Sequence, residues 1–130
     1  MRLDKRREHK VLKDVKGHFL TKVDPSFWWE CLRHESTDLL LEVPYQYISK
    51  LNIGKKNIWL IPCEDEESVY DVSPDIIINV LEKCPPFEYA LVNKKLEWMF
   101  VESHHNVLYA SGLEAMNRLK SIQRCRKSYN

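Results

Sequence analysis

Glycine is scarce in this chain, with three in 130 residues, and proline is modest at six. That excludes collagen-like, elastic and low-complexity architectures, which need those residues in bulk. It also excludes a glycine-rich phosphate cradle: Gly54-Lys55-Lys56 lacks the upstream glycine and the Ser or Thr of a P-loop. No apolar run approaches the ~20 residues of a membrane span. The basic start Met1-Arg2-Leu3-Asp4-Lys5-Arg6-Arg7-Glu8 is followed by no apolar stretch, so it does not read as a secretory signal. The four cysteines, Cys31, Cys63, Cys84 and Cys125, contain no C-x-x-C pair. They read as thiols of a reducing compartment, and the expected location is the cytoplasm. Neither Ser103 nor Ser111 has a G-x-S-x-G context, so a nucleophile elbow is absent.

What is present belongs to a globular protein. Hydrophobic residues make up 44% of the chain, and four Trp, six Tyr and four Phe need a core, which argues against disorder. The length predicts one domain over residues 1–130. Charge is unevenly spread. Residues 1–22 carry eight Lys or Arg against three acids, residues 118–130 carry five and no acid, and residues 23–117 carry seven against sixteen. A formal net charge of +1 thus hides an acidic body between two basic ends. The basic ends read as peripheral helices lying against the acidic body, or as holders of phosphate. The acidic body itself would steer a basic partner.

Residue periodicity predicts an α+β fold. Val11, Leu12, Val15, Phe19 and Leu20 recur at helical spacing, giving a helix over ~4–20. Asp24-Pro25 is a helix-start signal for a short helix over 26–32. Residues 38–43 fit strand or helix. Pro44 opens a short helix stopped by Gly54. The run 57–62 reads as a buried strand and 63–68 as an acidic loop. Ser73-Pro74 starts a helix over Ile76, Ile77, Val80 and Leu81, ended by Cys84-Pro85-Pro86. A three-strand meander follows over about 87–110, turning at Asn93-Lys94-Lys95 and at His104-His105-Asn106. Gly112 breaks it. A closing helix carries Leu113, Met116, Leu119 and Ile122 on its inner side. The expected sheet has about four antiparallel strands.

Few constellations carry chemistry. On an extended chain Glu102 and His104 share a face, as an acid/base pair or two ligands; a tight turn explains the same residues. Adjacent His104-His105 fits neither helical nor strand metal-ligand spacing, and no metal or cofactor is expected. Cys63 is flanked by Glu64-Asp65-Glu66-Glu67, which would raise its pKa and blunt it as a nucleophile. The four tryptophans fit core packing, with one or two at a rim where they would anchor a partner. The acidic loop lacks the EF-hand glycine and spacing. Glu64, Asp65, Glu66 and Glu67, with Asp71, are instead candidates for imitating a nucleic-acid backbone toward a basic protein. The same negative charge would repel the phosphates of nucleic acid, so no nucleic-acid partner is expected.

The segments Trp28-Trp29-Glu30, Asn57-Ile58-Trp59-Leu60 and Phe87-Glu88-Tyr89-Ala90-Leu91-Val92 through Glu102-Ser103-His104-His105 to Gly112 resemble a small bacterial family of unknown function. Its pattern is F-E-Y-x-L-V-x-K-x-L-x-W, then E-N-H-H and a closing glycine, with Ser103 here in place of the Asn. The likeness covers about residues 27–113. In size and style the chain also resembles immunity proteins of contact-dependent growth inhibition. That resemblance implies a non-enzymatic protein that binds a cognate toxin domain. The expectation is an inhibitor of a basic, nuclease-type toxin; the alternative is a small enzyme or metal protein built on Glu102, His104 and His105.

Overall fold

The computed structural model describes residues 1–64, 66–83, 86 and 88–128, the side chains of 125–128 excepted. Six antiparallel strands form one sheet: β1 (Ser36–Leu40), β2 (Ile58–Pro62), β3 (Tyr70–Val72), β4 (Tyr89–Asn93), β5 (Met99–Glu102) and β6 (Val107–Ser111), in the order β1-β6-β5-β4-β2-β3. The expected meander is the β4-β5-β6 centre. The sheet is larger than expected because β1 adds to β6 and β3 to β2. A three-residue strand such as β3 is too short to show a period of two, so only its pairing defines it.

Helices cover both faces. α1 (Lys5–Phe19) lies on one, and α2 (Ile77–Lys83), the 3-10 segment Pro44–Leu51 and α3 (Leu113–Ser128) lie on the other. Strand side chains alternate between two cores accordingly. Tyr89 and Leu91 enter the α2/α3 core, while Ala90 and Val92 enter the α1 core. Coverage on both sides explains why β4 reads as an unbroken apolar run rather than as an alternation.

Local chemistry sets the boundaries. Asp4 caps α1 by accepting from the Arg7 N–H at 2.9 Å. Asn93 Oδ1 accepts from the N–H groups of Glu97 (2.8 Å) and Trp98 (3.0 Å). The β4–β5 connection is therefore longer than the expected Asn93-Lys94-Lys95 turn, and β5 begins only at Met99. The 3-10 segment ending at Leu51 is closed by Asn52 in the left-handed conformation (φ 51°), not by Gly54.

The helix expected over 26–32 is one 3-10 turn, Trp28–Glu30, with no side-chain cap. Tertiary demand overrides the Asp24-Pro25 signal. The two indoles bond to carboxylates of different segments, Trp28 to Glu67 and Trp29 to Glu88. A seven-residue helix has little stability of its own to resist that pull. The Phe87 start of the expected strand, Cys84-Pro85 of the expected helix stop and Asp65 of the acidic loop lie outside the described residues. So does the Cys125 side chain.

Candidate partner-binding face

The acidic loop joins β2 to β3 beside α1. Its members divide by environment. Glu64 and Glu66 are exposed. Glu67 turns inward, where Oε1 takes the Lys16 ammonium at 2.5 Å and Oε2 the Trp28 indole N–H at 2.9 Å. Asp71, on β3, belongs to a different cluster. Its carboxylate accepts from Lys94 Nζ (2.8 Å) and Asn57 Nδ2 (2.9 Å). Burial opposes ionisation of Asp71, yet those two hydrogen bonds hold its carboxyl below the usual value. Of the expected partner-facing acids, then, Glu67 and Asp71 are engaged within the fold.

Behind the loop lies a cleft of about 520 Å³ bounded by α1, the 24–28 segment and the entry to β4. Among the described residues, Asp24, Glu64, Glu67 and Glu88 put four carboxylates on its wall against one ammonium, that of Lys16. Phe27 and Trp28 supply ring surface, and Lys16 Nζ stands 5.9 Å from the Trp28 ring centroid. Cys63 also lines the cleft. Desolvation pushes its thiol well above the ordinary value, and Glu67 and Glu88 push the same way. The thiolate is disfavoured as expected, but burial leads and the neighbouring Glu64 contributes little.

In the sequence Glu88 is one acid of the negative middle and of the Phe87-Glu88-Tyr89 motif, and nothing there assigns it a partner. It is 1% exposed. Its Oε2 accepts from the Trp29 indole (2.8 Å), the His104 backbone N–H (2.9 Å) and His104 Nδ1 (2.8 Å). This carboxylate ties the β5–β6 turn to the 3-10 turn and builds a rim of rings. Trp29 stacks on Tyr109 (5.7 Å, 16°) and on Phe27 (5.7 Å, 27°), while the rings of His104 and His105 lie 3.9 Å apart beside it. Phe27, Trp29, His104 and Tyr109 are half-buried and His105 is exposed. Trp28 and Trp98 are core residues, and Trp59 is half-buried under Lys94, whose ammonium is 4.5 Å from its ring centroid.

Glu102 does not join His104. It faces the α2/α3 core side, where Oε1 accepts from the Tyr89 hydroxyl at 2.9 Å. The chain leaves β5 at Glu102, and the buried Ser103 anchors the turn by accepting from the His105 and Val107 N–H groups. That turn carries His104 to the α1 side of the sheet. The expected Glu102/His104 pair is replaced by Glu88/His104. Burial raises the Glu102 carboxyl and the Tyr89 phenol above their ordinary values. Among the described residues, no group of three or more His, Cys, Asp and Glu could hold a metal ion. Nor is any described helix long and apolar enough to cross a membrane.

Fold and face together define an α+β protein whose acidic cleft is edged by aromatic rings. By sequence the chain belongs to a family of unknown function, DUF6756, which matches residues 2–123. The match extends past both ends of the expected 27–113 and takes in α1 and most of α3. No curated protein and no solved structure matches the chain.

Proposed function

We propose that this chain is a non-enzymatic binding protein of the cytoplasm that takes a basic protein domain on the acidic cleft and its aromatic rim. In its most specific form, the reading is an immunity protein that occludes a basic, nuclease-type toxin domain. The observation that carries it is the cleft wall, which among the described residues sets four carboxylates against one ammonium and is continuous through Phe27 with half-buried Trp29 and Tyr109. Charge of one sign steers an oppositely charged partner, and rigid aromatics at a rim supply anchoring area. A stable complex of this kind buries about 1,200–2,000 Å².

The test is co-expression of the tagged chain with the product of the neighbouring gene, followed by purification through a salt gradient. A stoichiometric basic partner, lethal alone and harmless in the complex, is the expected result. A partnerless chain that gives no protection removes the immunity reading.

A further inference from the structure

Building on that binding reading, we infer that the cleft is a site for an arginine side chain, presented by the partner protein as its anchor. The chain itself exhibits the recognition chemistry. Lys16 already lies between the Glu67 carboxylate and the Trp28 ring, a cation held by an anion and a π-face. That ammonium is taken up by Glu67, and Asp24 and Glu64 stand exposed on the same wall.

The buried Glu88 adds an independent sign. All three of its side-chain hydrogen bonds converge on Oε2, and among the described residues no donor reaches Oε1. A carboxylate oxygen so deeply placed gains from a charged donor, because a hydrogen bond to an ionised group is worth more than a neutral one. Phe27 lines the cleft, its ring stacked on Trp29 and tilted against His104 at 5.2 Å. A planar guanidinium can lie on such a ring and still direct its N–H groups at carboxylates. Lysine offers one point charge and no plane, so arginine fits this combination better. The cleft volume falls in the ~300–1,000 Å³ range of sites that enclose small guests.

Titration of the 130-residue chain with N-acetyl-arginine N-methylamide, followed by amide and indole NMR shifts, tests the inference. Expected are saturable shifts at the Trp28 indole and around residues 24–28, 63–64 and 88, with a dissociation constant of ~1–10 mM. The neutral citrulline counterpart gives none, and the lysine counterpart binds more weakly. Asp24→Asn with Glu64→Gln, both at exposed positions, weakens the arginine response about fivefold while the rest of the spectrum is unchanged. Absence of saturable shifts, equal shifts from citrulline, or full affinity in the double variant overturns the arginine site. None of these outcomes depends on a toxin, so loss of the immunity reading alone would leave the site standing.

Discussion

Glu8 and Glu102 carry the same side chain into opposite environments. Glu8 Oε2 accepts from Arg2 Nε at 3.0 Å and from the buried Val69 N–H at 2.9 Å. The Arg2 hydrogen bond, helped by that of Val69, holds its carboxyl below the usual value. Its contribution is complete above the unfolded glutamate range near ~4.3 and is lost as pH falls through the lowered folded value. Glu102 is raised by burial, against the hydrogen bonds from Tyr89 and the Tyr45 backbone, so its folded form holds a proton longer. Stability from that group is greatest at low pH and declines as pH rises through the raised value. Glu8→Gln should therefore lose about 1.5–3 kcal/mol at neutral pH and little at low pH. Glu102→Gln, which keeps an acceptor for the Tyr89 hydroxyl, should gain stability at neutral pH. Urea unfolding between pH 3 and 8 checks both; parallel pH profiles for the two variants would contradict the opposite signs. Glycines divide as sharply. Gly112 has φ +99°, and a Cβ there would stand 2.4 Å from the Glu97 carbonyl oxygen, whereas a Cβ at Gly17 in α1 meets nothing within 4 Å. Gly112→Ala is expected to cost more than about 2 kcal/mol, and Gly17→Ala to stabilise by about 0.5–1 kcal/mol. Thermal unfolding of the pair measures the contrast.

At the scale of the element, α3 shows what periodicity can and cannot say. Leu113, Met116, Leu119 and Ile122 are spaced by threes, and each step of three falls 60° short of a full turn, so the first and last lie on opposite sides. The buried stripe is Ala115, Met116, Leu119 and Ile122, and Leu113 is 77% exposed. Leu119→Ala should cost about 2–5 kcal/mol and Leu113→Ala no more than about 0.5 kcal/mol. Equal denaturant midpoints for the two would contradict this orientation. The elements read correctly from the chain were those whose signal is local: the apolar period of α1, the meander, and the 57–62 run that became β2. Those missed depend on distant partners. β3 exists by pairing with β2 and with Arg2, and the 24–30 segment takes its shape from Glu67 and Glu88. The candidate site was legible in the same measure. The acidic loop and the His104-His105 turn were visible as clusters. Their true companions, Lys16, Phe27 and Glu88, come from three separate parts of the chain, and no spacing in the sequence joins them.

The whole molecule places its charge in layers. α1 and α3 carry the basic ends on opposite faces of the sheet, and the acidic loop emerges beside α1. Among the described residues, each basic end reaches the acidic body through an ion pair, Lys16 to Glu67 and Arg118 to Glu114, while Arg2 bonds to Glu8 within its own segment. The loop then contains two kinds of acid that a charge count treats alike. Reversing Glu67 would set a cation against Lys16 and leave the Trp28 indole without its acceptor, so Glu67→Lys should lower stability by about 2–3 kcal/mol. Reversing the exposed Glu64 and Glu66 should leave unfolding within about 0.5 kcal/mol of the parent. If this face steers a basic partner, that same double reversal should slow association about tenfold at low salt and much less at high salt, with dissociation changing little, because rim charges act mainly on the encounter. Stopped-flow association at two ionic strengths, run beside urea unfolding of the same variants, separates the two roles. An unchanged association rate in a stably folded Glu64→Lys/Glu66→Lys protein would mean that the partner approaches by another face, whatever the depth of the cleft behind the loop.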